Sequence, residues 1–106
     1  MTEFVTLYVT AANREEARAI AHTLLQERLI ACANIVEGAM SLYRWNGELQ
    51  EEHEAVLLAK TSATRAERAM ARAKQLHSYD CPCVTAWPIV AIDADYAAWL
   101  LAQLAD

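Results

Sequence analysis

Apolar residues alternate from Phe4 to Thr10, with Val5, Leu7 and Val9 on one side, and the stretch is rich in β-branched and aromatic types, so a strand is expected there. The period then lengthens. Ala17, Ile20, Ala21, Leu24 and Leu25 share one helical face. Ahead of them Asn13-Arg14-Glu15-Glu16 has the form of a capping box, Asn13 as N-cap and Glu16 at the third helical position. Ile30 to Trp45 alternates unevenly, breaks at Gly38, and resumes as Met40-Ser41-Leu42-Tyr43-Arg44-Trp45. Gly38 marks a bulge or bend in that long strand. Asn46-Gly47 is a strong two-residue hairpin signal, because both central positions of a type I′ turn need φ > 0. Glu48 to Thr61 is the return strand, polar in its outer part and apolar on both faces from Ala55 to Ala59.

A second capping-box pattern, Thr64-Arg65-Ala66-Glu67, opens a helix whose inner face carries Ala66, Ala69, Met70, Ala73 and Leu76. His77 to Cys83 reads as a loop containing Pro82. Val84 to Trp87 is a short last strand ended by Pro88, which suits a sheet edge. Asp93 or Asp95 caps a C-terminal helix with Tyr96, Trp99, Leu100 and Leu104. The order β-α-β-β-α-β plus a final helix is the split-βαβ, ferredoxin-like arrangement. The expected class is therefore α+β, a single domain over residues 1–106 with a four-stranded antiparallel sheet and an extended β-hairpin. Two features point to a homo-oligomer. The hairpin arms are about twice the length of the first strand, so the tip projects, and a free two-stranded ribbon is marginal in water. Both crossover helices also cover the same sheet face, leaving Phe4, Tyr8 and the outer side of Ala55–Ala59 under one short helix at most.

Composition narrows the function classes. The chain is 56% hydrophobic, above the roughly 45–50% of average domains, with much of the excess in alanine. Fourteen acidic residues against nine basic ones give a net charge of −5. No basic stripe exists to track phosphates, so no nucleic acid is expected as a partner. No apolar run approaches a membrane span, the first residues lack a signal-peptide pattern, and three cysteines do not make a secreted disulfide framework; the expected compartment is the cytoplasm. A Gly-rich phosphate loop, an H-E-x-x-H helix and a nucleophile elbow are all missing, so nothing in the sequence requires an enzyme.

His77, Cys81 and Cys83 form H-x3-C-x-C across a helix end and a loop. Imidazole and thiolate suit Cu(I) or Zn(II); the same residues also suit a helix-end histidine beside two packing thiols. Cys32 lies among alanines on a strand and reads as a core thiol. His53, with Glu51, Glu52 and Glu54, sits on the hairpin, but strand alternation sends Glu51 and His53 to one side and Glu52 and Glu54 to the other.

Ala31-Cys32-Ala33-Asn34-Ile35, Ser41-Leu42-Tyr43-Arg44-Trp45-Asn46-Gly47, Leu57-Leu58-Ala59-Lys60-Thr61, His77-Ser78-Tyr79-Asp80-Cys81-Pro82 and Asp95-Tyr96-Ala97-Ala98-Trp99-Leu100 together resemble the CutA family of divalent-cation tolerance proteins. The resemblance runs in order over nearly the whole chain. It implies a ferredoxin-like protomer in a tight homotrimer, and a role in tolerance to copper or another divalent or soft metal ion. A similarity in shape to PII-type signalling trimers implies the rival reading, a sensor that binds a small anionic ligand between subunits. The pocket so implied includes Tyr43, Lys60 and Tyr79. The chain departs from the family loop pattern, with Ser78, Asp80 and Cys83 where Pro, Glu and Glu are usual. A cysteine proposed as a copper ligand in some members is replaced here by Val9, and of a proposed histidine pair only His77 remains, beside Leu76.

Overall fold

The computed structural model describes residues 3–105. Strand β1 (Phe4–Ala11) leads into helix α1 (Arg14–Gln26), the long hairpin β2 (Cys32–Trp45) and β3 (Glu48–Ser62), helix α2 (Ala66–Leu76), edge strand β4 (Val84–Pro88) and helix α3 (Ala94–Leu104). The sheet order is β2-β3-β1-β4, with every neighbouring pair antiparallel.

Register explains the core. Val5, Leu7 and Val9 face α1 and α2 together with Ala55, Leu57 and Ala59 of β3, and Ile20, Leu24, Ala69 and Ala73 close over them. Leu7, Val9, Leu24 and Leu57 are completely buried. The small residues on α2 let that helix sit close to the sheet. Phe4, one step out of phase, points to the opposite face, where it packs with Ala31, Leu100 and Leu104 of α3. The Arg65 and Arg28 guanidinium groups donate to the Leu104 and Gln103 carbonyls at 2.8 and 2.9 Å. They thereby tie down carbonyls left unpaired at the helix end. The remainder of this second face stays open: Tyr8 stacks on Trp87 with ring centroids 5.0 Å apart, and Trp87 is exposed.

β1 pairs with Ala55–Ser62 only, so Glu48–Glu54 and their partners Ala39–Trp45 extend beyond the sheet as a bare ribbon. The longest dimension of the molecule, 45 Å against 26 and 22 Å, follows from this. Asn46 and Gly47 have φ of 50° and 80°, the type I′ turn expected, and the register shift between Val36 and Ala39 is the bulge at Gly38, φ 85°.

Asn13 caps α1 by accepting from the Glu16 N–H at 2.9 Å, while Glu16 Oε1 accepts from Ala12 N–H rather than from the cap itself. Asp93 caps α3. The second capping box does not form. β3 continues through Ser62, whose neighbour Ala63 donates its N–H to Glu3, and a 3-10 turn over Ala63–Arg65 intervenes before α2. Thr64 lies inside that 3-10 turn rather than ahead of the helix, and its hydroxyl bonds Ser62 instead of capping α2. On α1, Leu25 lies at the margin and is exposed.

Candidate functional site

The loop after α2 is fastened to the end of β1 by side chains that the sequence scatters over the chain. His77 is the anchor. Its Nδ1 accepts from the Tyr79 N–H at 3.1 Å, which leaves the ring proton on Nε2 to be donated to the Thr10 carbonyl at 2.7 Å. Its side chain is fully buried. Glu16, already engaged with Ala12, also accepts from the Ser78 N–H at 2.8 Å. Burial pushes the Glu16 carboxyl upward, but hydrogen bonds from Ser78 and Ala12 outweigh it and hold the group below its ordinary value. Glu16 Oε2 lies 3.9 Å from His77 Nδ1. That approach is not an ion pair in this tautomer, because the Nδ1 lone pair is already used by Tyr79.

Further along, the Tyr79 hydroxyl donates to Glu54 Oε2 at 2.8 Å, and the Cys83 carbonyl accepts weakly from Thr10 N–H at 3.4 Å. Burial and the Glu54 carboxylate push the Tyr79 phenol far upward, so it stays a donor. Glu54 is the first β3 residue beyond the reach of β1, and Tyr79 covers it where the first strand no longer can.

These bonds hold the loop beside the projecting hairpin and leave an open cleft of about 720 Å³ between them. Tyr8 and Thr10 supply its inner end. Ser41, Tyr43 and Trp45 of β2 and Gln50, Glu52 and Glu54 of β3 form the hairpin wall, and Tyr79, Asp80, Cys81 and Cys83 form the loop wall. The lining thus holds three carboxyl groups and two thiols, and no Lys, Arg or His. Such a chamber attracts cations and repels phosphates or carboxylates.

The sequence-predicted site residues separate. Tyr43 and Tyr79 line the cleft together, and so do Cys81 and Cys83. Lys60 does not: it pairs with Thr6 and Cys32, six residues and roughly 20 Å along β3 from Glu54. His77 is close in sequence to both thiols, but its two ring nitrogens are consumed by backbone groups. Among the described residues no three His, Cys, Asp or Glu side chains converge to hold an ion. The expected third ligand is therefore a structural residue. Cys32, expected as a core thiol, is only half-buried, with its Sγ 3.2 Å from the Tyr96 hydroxyl. Glu54 and Glu52 were readable as a same-side pair from strand alternation. That the α2–β4 loop would face them was not readable, since only packing brings the two segments together.

Residues 5–103 match the family model described as CutA1 divalent ion tolerance protein. Among curated relatives, the divalent-cation tolerance protein CutA of Thermus thermophilus is 44% identical over 92 residues, covering 87% of this chain and 89% of its own. That of Pectobacterium atrosepticum is 35% identical, covering 98% and 94%. The crystal structure of CutA from Xylella fastidiosa superposes with a TM-score of 0.94 at 31% identity, covering 98% of this chain and all of its own. Fold and sequence agree over the sheet, the long hairpin and all three helices, and the chain belongs to the CutA1 family of divalent ion tolerance proteins.

Proposed function

We propose that the chain is a cytoplasmic homotrimer that serves cation tolerance by taking up a metal ion, copper or another soft ion, in the cleft between its hairpin and the α2–β4 loop. The observation that carries this reading is the cleft lining, with Glu52, Glu54, Asp80, Cys81 and Cys83 and no cationic side chain. The alternative, a sensor of a small anionic ligand bound between subunits, draws no support from this cleft, whose lining has no basic side chain. Assembly is supported by apolar surface that one copy leaves in water: Met40, Leu42, Trp45, Leu49, Trp87 and Trp99 are each about half exposed or more. Clusters of that kind mark interfaces, and three is the copy number the resemblance implies.

The test follows thermal stability of the purified protein at fixed protomer concentration, with Cu(I), Cu(II), Zn(II) and Cd(II) in one series and nucleotides in another. A ligand that binds the folded form raises stability by mass action, by about 2.7 kcal/mol at a hundredfold excess over its dissociation constant. Stabilisation by a cation and a trimer mass in light scattering are expected. Stabilisation by nucleotides alone would replace the cation reading with the sensor, and a monomer mass at micromolar concentration would remove the trimer.

A further inference from the structure

The loop that closes the cleft carries Cys81-Pro82-Cys83, and both cysteines are exposed free thiols. Cys32 differs, since its sulfur is engaged by Tyr96. With one residue between them, their Cα atoms lie no more than roughly 7 Å apart, and both cysteines line the same chamber. Pro82 fixes its own φ and removes one donor between them. The segment is also tethered on either side, by His77 to Thr10, Tyr79 to Glu54 and the Cys83 carbonyl to Thr10. Little ordering entropy remains to be lost when the sulfurs are brought to a common ligand.

We propose that Cys81 and Cys83 form a two-sulfur site for a soft monovalent d10 cation, Cu(I) above all, at the loop wall of the cleft. The inference rests on the cation-uptake reading and names its ligands. A site with only two side-chain ligands suits this ion, because monovalent d10 cations accept linear coordination by two thiolates, whereas Zn(II) demands four donors. Binding is an exchange: two S–H bonds release their protons, two S–Cu bonds form, and the copper stays Cu(I) throughout. The carboxylates of Glu52, Glu54 and Asp80 raise the local cation concentration and are poor competitors for a soft ion. His77 has no lone pair to offer. Because two protons leave per ion, binding weakens as pH falls, by up to about a hundredfold per pH unit.

The test titrates the whole protein with Cu(I), held reduced by ascorbate, against a chromophoric Cu(I) chelator, and records thiolate-to-copper charge-transfer absorption in the near ultraviolet. The parent should bind one Cu(I) per chain with that absorption. Cys81→Ser with Cys83→Ser should lose both signals while keeping the parent's oligomeric mass and thermal stability. His77→Asn should keep both. If the double variant retains the parent's stoichiometry and affinity, the site is elsewhere and the inference is overturned. A parent that binds no Cu(I) but is stabilised by Zn(II), Cd(II) or Cu(II) also overturns it while leaving cation uptake standing. A parent stabilised by no cation overturns both.

Discussion

Replacing His77 by alanine separates a structural histidine from a metal ligand. The side chain is fully buried and makes two hydrogen bonds, accepting from Tyr79 N–H at 3.1 Å and donating to the Thr10 carbonyl at 2.7 Å, with its ring against that of Tyr79 at 4.6 Å. Leaving a buried donor or acceptor unpaired costs about 1–3 kcal/mol each. Water entering from the exposed Ser78 side relieves part of this, so a total loss of about 2–4 kcal/mol is expected. The conservative variants divide the loss. Asparagine places an oxygen near the Nδ1 position and keeps the Tyr79 bond. Glutamine reaches toward Thr10 with its amide and keeps the other. Each should cost about half as much as alanine. The assay is urea unfolding followed by circular dichroism at one protomer concentration, since the stability of an assembly depends on concentration. A loss below about 0.5 kcal/mol for His77→Ala, within the range of an ordinary surface substitution, would refute the structural role. So would a folded variant that loses metal binding altogether.

The Glu16 carboxyl titrates below its ordinary value of 4.5, so the stability it adds is complete above that pH and drains away as pH falls through the lowered value. Glu16→Gln should therefore be less stable than the parent near neutrality and converge with it in acid unfolding curves. A constant gap at all pH values would contradict this. The Tyr96 phenol is pushed up to about 12, first by its hydrogen bond with Cys32 and then by burial. Its contribution is present below the ordinary value of 10 and lost as pH rises toward 12, so Tyr96→Phe should remove the phenolate absorbance step near pH 12 and leave any step near pH 10 intact. Gly47→Val places a β-branched residue at φ 80°, at a cost of about 1–2 kcal/mol. No atom lies within 4 Å of the added Cβ, so the damage is to backbone conformation alone. An unchanged denaturation midpoint and assembly mass would refute the turn assignment.

Local chemistry dictated much of this protein. Asn46-Gly47 specifies its turn because few other pairs tolerate two positive φ values in succession. Gly38 specifies the bulge for the same reason, and the alternation of Val5, Leu7 and Val9 picks the buried face because strand side chains repeat every second residue. The order of elements with their spacing then left one reasonable topology. Thr64 shows where such local signals lose: a capping residue is worth about 1 kcal/mol, and β3, paired with β1 as far as Ser62, turns at once into the 3-10 segment Ala63–Arg65 that takes up Thr64. The candidate site was partly legible, through its thiols, its tyrosines and the same-side pair Glu52 and Glu54. Its membership was not. The spacing of His77 to Cys81 and Cys83 is equally compatible with three ligands on one ion and with what the structure holds, an imidazole bonded at one nitrogen to its own loop at Tyr79 and at the other to the distant backbone of Thr10. Lys60 stands on the same strand face as Glu54, and only the length of β3 and the point where β1 ends keep it out of the cleft. Sequence fixes which groups a chain possesses and which way each points along its own element. The three-dimensional packing of a loop against a distant strand decides which of those groups still have a free lone pair, and which of them meet.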